Sequence, residues 1–189
     1  IYAAEYLGPG ERVAQPSEAW PDAVDGTLRH PDHPWVLASP DRAVMVDSKV
    51  VRLVEIKTAG PRTAYLWGDA HDAVPNGYRA QVEWQMAVTG VPVVDLVVLL
   101  AGEEVRAYRI ERDPELWEYL LSIGRDFWRR VQDGIEPPVD GSESWRDYIA
   151  SRFPKGEGLR TATADEAALI EALDTVKRSI RELEEREAD

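Results

Sequence analysis

Residues 41–57 constrain the fold of this chain most strongly, because they place charged side chains in an otherwise apolar pair of strands. Residues 42–46 predict a buried strand, 47–49 a tight turn, and 50–57 a second strand. Side chains alternate between the two faces of the second strand. One face carries Val51, Leu53, Glu55 and Lys57, and the opposite face carries Val50, Val54 and Ile56. The hairpin should return Asp41 to the end of the second strand, beside Glu55 and Lys57.

This arrangement predicts a metal centre. Burying charged groups among apolar residues is costly unless they are paired or used. Mg²⁺ and Mn²⁺ prefer oxygen ligands, so we predict that Asp41, Glu55 and the carbonyl of Ile56 hold one of these ions. Such an ion would lower the pKa of a bound water and neutralise charge on a scissile phosphate, and Lys57 would position that water or stabilise the developing charge. The alternative is an edge-strand Glu/Lys pair and an ordinary turn aspartate.

Further motifs occur in a fixed order along the chain. They are Ser39-Pro40-Asp41, Glu55-Ile56-Lys57-Thr58, Pro75-x-x-Tyr78-x-x-Gln81-Val82-x-x-Gln85-Met86-x-Val88-Thr89-Gly90, and Phe127-Trp128-x-x-Val131-x-x-Gly134-x-x-Pro137-Pro138. Together they resemble the YqaJ-type viral recombinase family, relatives of phage lambda exonuclease in the PD-(D/E)xK nuclease superfamily. The resemblance covers roughly residues 2–148.

The resemblance implies an α/β fold with a PD-(D/E)xK restriction-endonuclease-like core, in which helices flank a small mixed sheet. It implies a metal-dependent DNA nuclease, most like a phage-type 5′ to 3′ exonuclease that acts on duplex ends in recombination. It also implies a ring-shaped homotrimer and a single-strand annealing protein as partner. Two alternatives stay open: a structure-specific or site-specific endonuclease with the same metal site, and a non-catalytic DNA-binding or assembly module.

Residues outside the strand pair complete the predicted site. In the resembled family a glutamine lies beside the metal-binding carboxylates, and Gln81 matches it, so we count Gln81 among the catalytic residues. We predict DNA contacts for Ser39, Tyr78 and Gln85. Trp67 lies in a long polar connection and would stack on a base or wedge a duplex end. The alternatives are structural hydrogen bonding by the glutamines on a buried helix face, and packing of Trp67 under its own loop.

The resembled family carries one more acidic ligand on the helix that ends near residue 7. By spacing, that acid would precede Ile1. Because the first residue is not Met, we expect the chain to be an internal stretch of a longer product, with this helix truncated. Glu5 is the one acid in residues 1–7, and we expect it to be a solvated helix-end charge.

Composition limits the function classes. The net charge of −13 argues against a broad basic DNA footprint, although residues 163–189 carry nine acids against four bases. The absence of cysteine excludes disulfides, thiolate zinc sites and the iron–sulfur cluster of some related nucleases. No apolar run approaches the length of a membrane span. We expect a protein of the bacterial or phage-infected cytoplasm with no membrane partner.

The remaining chain predicts alternating helices and strands. We expect a helix over 77–89 capped by Asn76, strands over 93–100 and 105–110, a helix from about 114 to 133 and a short helix over 145–152. The helix over 114–133 shows a stripe expected to face the core, with Leu116, Leu120, Ile123, Phe127 and Val131 in it and Trp128 as a further anchor. The domain division we predict is a nuclease domain over 1–153 and a linker with an amphipathic helix over 154–189.

A capping box, Thr163-x-x-Glu166, should open the last helix. Its apolar residues recur at spacings of four and three, in the order Leu169, Leu173, Val176, Ile180 and Leu183. This seam predicts packing either on its own domain or on another chain.

Overall fold

The computed structural model describes residues 1–70, 73–153 and 160–188, and the chain divides into two compact units, 1–136 and 137–189. The helices are α1 (Tyr2–Glu5), α2 (Pro16–Ala19), α3 (Asn76–Thr89), α4 (Pro114–Asp133), α5 (Glu143–Arg152) and α6 (Ala164–Ala188). The strands are β1 (Glu11–Ala14), β2 (Leu28–Arg29), β3 (Leu37–Ala38), β4 (Arg42–Val46), β5 (Lys49–Ala59), β6 (Val93–Leu100) and β7 (Glu104–Glu111). The predicted domain boundary after residue 153 borders residues outside the described ranges, and it stays a prediction.

A five-stranded mixed sheet forms the framework of the first unit, in the order β1-β4-β5-β6-β7. Strands β4 and β5 are antiparallel, β5 and β6 are parallel, and β6 and β7 are antiparallel. The parallel pair needs a crossover connection, which α3 supplies. Strands β2 and β3 form a separate two-stranded sheet. The predicted mixed sheet with flanking helices is confirmed.

The β4–β5 hairpin contains a bulge that the sequence alternation did not predict. Val44 pairs with Arg52 but Met45 pairs with Val50, so Val51 is the extra residue. Val50 therefore packs with the cluster of Leu53, and Val51 packs with the opposite cluster around Val44. The predicted faces of Val50 and Val51 were wrong, because an extra residue reverses the alternation on one side of a bulge.

Helix α3 packs one face on the sheet and ends where the sequence predicted. Val82 and Met86 are fully buried in the cluster around Leu53. Gly90 adopts a φ of 71° and its N–H bonds to the Met86 carbonyl, which is a glycine helix end. The predicted cap was wrong: Asn76 is the first helical residue, and no side chain caps the helix.

Helix α4 faces the core with a different stripe from the predicted one. Asp113 caps it as expected, accepting the N–H groups of Glu115 and Leu116. However, Phe127 is 66% exposed and the buried side chains are Trp117 and Leu121. The predicted core stripe was therefore wrong for Phe127 and for Ile123 and Val131, which are about half exposed. The other two members, Leu116 and Leu120, are half-buried.

Gly124 explains this rotation of α4, because it lies on the same face as Trp117 and Leu121. A Cβ atom at Gly124 would stand 2.9 Å from Cη2 of Trp84 and 3.1 Å from Cη2 of Trp35. The missing side chain lets these two indole rings pack directly against the helix. Hydrophobic periodicity counts apolar residues and gives a glycine no weight.

We expect Gly124→Ala to lower the free energy of unfolding by about 1–3 kcal/mol, the usual cost of overpacking. Alanine has the higher helix propensity, by roughly 1 kcal/mol, but Trp84 cannot retreat freely because its Nε1 donates to the Leu37 carbonyl at 3.0 Å. Urea unfolding measures the effect, with Ser122→Ala on the exposed face of α4 as the matched control. An unchanged or higher midpoint for Gly124→Ala would contradict the close packing of Trp84 and Trp35 against Gly124.

A buried ionic network lies on the other side of the sheet from α3. Asp95, only 2% exposed, accepts hydrogen bonds from Tyr2 Oη at 2.6 Å, Arg52 Nε at 2.9 Å and Arg109 Nε at 2.8 Å. Burial alone raises the pKa of Asp95, but the bonds from Arg109 and Tyr2 bring it below its ordinary value. Arg52 also binds both carboxylate oxygens of Glu11, which lowers the pKa of Glu11 to about 2. The network joins α1 to the sheet and links the edge strand β1 with β5 and β6.

The second unit contains α5 and α6. The predicted capping box is confirmed: the Glu166 N–H donates to Thr163 Oγ1 at 3.3 Å, and the Thr163 N–H donates to Glu166 Oε2 at 2.8 Å. Across the ranges that the structure describes, no helix combines the length and the apolar character needed to cross a membrane.

Candidate active site

The hairpin brings Asp41 next to β5. Arg42 pairs with Val54, so Asp41 lies beside Glu55, and its Oδ2 accepts the N–H of Ile56 at 2.8 Å. In a strand the N–H and C=O of one residue point to the same side. The carbonyl of Ile56 therefore faces the edge where β4 has not yet begun, on the side of Asp41.

Glu55 is the buried carboxylate of this group, with 3% of its surface exposed. Its Oε1 accepts from Lys57 Nζ at 2.5 Å and from Gln81 Nε2 at 2.7 Å, and its Oε2 accepts from Gln85 Nε2 at 2.9 Å. The two glutamines lie one turn apart on α3 and reach the same carboxylate. The prediction that both amides are buried was wrong for Gln81, which is exposed.

An aromatic stack lies beneath Lys57. Its Nζ is 5.1 Å from the ring centroid of Tyr78, and the Tyr78 ring stacks on Trp67 at 5.4 Å. Trp67 is only 5% exposed and also contacts Tyr108, at 5.5 Å. A DNA base could stack on Trp67 only if its ring left this position, so the geometry agrees with the packing alternative. The Tyr78 ring is half-buried.

Ser39 forms its side-chain hydrogen bond with a residue outside this group. Its Oγ is 2.9 Å from Oγ1 of Thr27, and the residue is exposed. Of the predicted site residues, the structure therefore brings together the main chain of Ile56 and six side chains, namely those of Asp41, Glu55, Lys57, Tyr78, Gln81 and Gln85. No contact joins Ser39 to this group among the hydrogen bonds of the described residues, and Trp67 lies in the core.

The donor set suits a hard divalent cation. Mg²⁺ commonly binds through one or two carboxylates and keeps several waters, and this site offers the carboxylates of Asp41 and Glu55 and the carbonyl of Ile56. Among the described residues, no cluster of three or more His, Asp or Glu side chains could hold a metal. A cation here would therefore depend on water or substrate oxygens for its remaining ligands.

Glu5 is exposed at the end of α1.

Two charged residues near these elements were not predicted from the sequence. Arg42 donates from a guanidinium nitrogen to the Asp41 carbonyl at 2.5 Å, and its position directly after the aspartate was the available signal. Glu83 is fully buried on α3, where burial raises its pKa. Its Oε2 accepts the N–H of Asp113 at 2.8 Å, so Glu83 ties α3 to the start of α4.

Comparison with known proteins agrees with the sequence motifs. Residues 8–92 match the family model of the YqaJ-like viral recombinase domain. The chain is also similar to the uncharacterized protein YqaJ of Bacillus subtilis (strain 168), with 28% identity over 162 residues that make up 83% of this chain and 49% of that protein. The chain thus spans about half the length of this curated relative.

Two solved structures share the fold. The alkaline exonuclease LHK-Exo from Laribacter hongkongensis matches with a TM-score of 0.53 and 24% identity, covering 80% of this chain and 68% of that chain. Its complex with dAMP matches with a TM-score of 0.51 and 24% identity, covering 80% and 65%. The predicted α/β fold, a small mixed sheet flanked by helices, is confirmed. The predicted family resemblance is confirmed as well, since residues 8–92 match the YqaJ-like viral recombinase domain.

Proposed function

We propose that this chain is a Mg²⁺- or Mn²⁺-dependent deoxyribonuclease that degrades duplex DNA from its ends, 5′ to 3′, during recombination. The observation that carries the proposal is the convergence of Asp41, Glu55 and Lys57 at one end of a hairpin, with Lys57 Nζ 2.5 Å from Glu55. The match to a recombinase domain and the fold shared with an alkaline exonuclease support it. That exonuclease has been solved with dAMP, which is a product expected of such a reaction.

Each residue of the site has its own role in the proposed reaction. Asp41, Glu55 and the Ile56 carbonyl would hold the ion, which supplies a water of lowered pKa and offsets charge on the phosphate. Lys57 would direct its ammonium at a non-bridging phosphate oxygen or at the attacking water. Lys57 and Gln81 share Oε1 of Glu55, so one of them can turn to the substrate while the other still holds the carboxylate.

Partners and location follow from the resemblance. We propose a ring-shaped homotrimer around duplex DNA, a single-strand annealing protein as partner, and action in the cytoplasm of a bacterial or phage-infected cell. The acidic net charge of −13 does not oppose this proposal, because a ring can confine positive charge to its lumen while its outer surface stays acidic.

The decisive experiment compares linear duplex DNA with covalently closed circles in the presence of Mg²⁺. We expect a 5′-labelled linear duplex to release label at once as mononucleotides, a 3′-labelled one to shorten late, and the closed circle to resist. Nicking of closed circles at the rate of linear degradation would favour the endonuclease alternative. DNA binding without any cleavage would favour the non-catalytic module.

Tyr78 should support Lys57 in this reaction. We expect Tyr78→Leu to lower turnover by about 2- to 30-fold, which corresponds to the roughly 0.5–2 kcal/mol of a cation–π contact. Tyr78→Phe keeps the ring and should keep the rate. The effect of Tyr78→Leu should disappear in a Lys57→Met background. A loss of DNA affinity that persists in that background would instead establish Tyr78 as a DNA contact.

A further inference from the structure

Helix α6 presents an apolar seam to solvent. Its seam residues are between 49% and 72% exposed, namely Leu169, Leu173, Val176, Ile180 and Leu183. Spacings that alternate between four and three place these side chains along one stripe, the pattern of a helix that packs on another helix. The N-terminal end of the seam is fixed, because Glu166 is held by Arg160 at 2.5 Å and by the N–H of Thr163.

We propose that α6 pairs with α6 of a second copy of this chain, in the antiparallel orientation. In heptad terms Leu173 and Ile180 occupy a positions, and Leu169 and Val176 occupy d positions. An antiparallel pair stacks a against d. Leu169 then meets Ile180 of the second copy, and Leu173 meets Val176. Two-fold symmetry repeats both layers, so four apolar layers form, and at each end Leu183 lies against Glu166 of the second copy.

The charges beside the seam select this orientation. The antiparallel pair places Asp165 next to Arg186 of the second copy, and symmetry makes this ion pair twice. The small residues Ala172 and Ser179 face each other in the same row, which lets the helices approach closely. Antiparallel helices also oppose their macrodipoles favourably.

The parallel orientation lacks these features. It would place Glu166 against Glu166 of the second copy, because both occupy a positions. It would also bring Ser179 beside Glu184 and Ala172 beside Lys177, so that no ion pair forms across the seam. Like charges at paired positions oppose association.

The contact should be weak enough to depend on protein concentration. From Leu169 to Leu183 the seam runs for roughly 21 Å at 1.5 Å per residue, which is short for a coiled coil. Interfaces of this size fall at the transient end of the range. We therefore expect a dissociation constant on the order of micromolar, and association would join two copies through their second units independently of any DNA-degrading activity.

Sedimentation of the full chain over a concentration series tests the seam. We expect Leu173→Glu combined with Ile180→Glu to remove this association, with helicity checked by circular dichroism. A variant on the opposite face of α6, Thr175→Glu, is the matched control and should associate like the wild type. The homotrimer proposed above would persist in this variant, so unchanged association beyond the trimer would overturn the proposal and assign the contact to another surface.

A charge exchange tests the orientation. We expect Asp165→Arg or Arg186→Asp alone to weaken association by about three- to tenfold, since each creates two like-charge contacts. The variant that carries both changes should associate nearly as the wild type does. Failure of the double exchange to restore association would overturn the antiparallel register.

Cross-linking gives a second measure of orientation, since the chain contains no cysteine of its own. Ala172→Cys and Ser179→Cys should form a disulfide across the pair when the two variants are mixed. Each variant alone should cross-link much less, because its cysteine faces Ser179 or Ala172 of the second copy. Equal cross-linking in the unmixed samples would overturn the antiparallel arrangement. These measurements report association only, so they remain informative whatever the DNA assays show.

Discussion

Asp41→Asn is expected to abolish DNA cleavage while leaving the fold intact. The amide oxygen of asparagine can still accept the Ile56 N–H that Asp41 now accepts at 2.8 Å, but the negative charge is gone. A proposed metal ligand is lost, and metal ions supply several kcal/mol of transition-state stabilisation. The expected loss of turnover is therefore about a thousandfold or more.

Single-turnover cleavage of a labelled linear duplex in Mg²⁺ measures this loss, and calorimetric titration with Mn²⁺ measures metal binding separately. Asp47→Asn is the matched control, because Asp47 lies in the hairpin turn with a φ of 51°, a conformation that asparagine tolerates. Glu55→Gln should be equally inactive. This variant should also be somewhat less stable, because the amide group of the new glutamine would face Lys57 and Gln81, which are hydrogen-bond donors. Wild-type turnover of Asp41→Asn in Mg²⁺ would remove the metal assignment.

Lys57→Met is expected to lower turnover by about 10²–10³-fold, as does the loss of another oriented donor to developing charge. The aliphatic part of the side chain still covers Tyr78, and Glu55 keeps its bonds to Gln81 and Gln85, so the fold should persist. Affinity for DNA should change little, because one phosphate contact is a small part of the total.

The split between turnover and affinity separates two roles for this lysine. Lys49→Met, at the exposed start of the same strand, is the matched control and should have no effect on the rate. If Lys57→Met weakened DNA binding at unchanged turnover, the lysine would be a tether for DNA and would take no part in the chemistry.

The candidate site was predictable because its geometry is local. A hairpin returns Asp41 to Glu55, and strand alternation places Glu55 and Lys57 on one face, so short-range rules were sufficient. The contacts of Gln81 and Gln85 with Glu55 were harder, since they depend on how α3 crosses the sheet. The resemblance to known motifs suggested the contact for Gln81, and the structure adds that Gln85 binds the other oxygen of the same carboxylate.

The errors arose where packing overrides periodicity. One extra residue opposite Val44 exchanged the faces of Val50 and Val51, and such a bulge depends on pairing with the neighbouring strand. The absent side chain of Gly124 selected the face of α4, although the apolar stripe through Phe127 has the stronger pattern. The ionic network of Asp95 was not predicted, because Asp95 lies in an apolar run of sequence and its partners come from distant parts of the chain.

The closeness in sequence of Asp41 and Lys57 has a consequence for the order of folding. Hairpins form in about 1–10 μs, whereas the parallel β5–β6 pairing must first close the long connection through α3. We therefore expect the two carboxylates and the lysine to meet early, in a partly folded chain that still lacks the α3 glutamines. Newly made protein would therefore carry the charges of Asp41, Glu55 and Lys57 before the α3 glutamines could bind Glu55. Divalent cations that bind these carboxylates would then stabilise the partly folded chain and speed its folding.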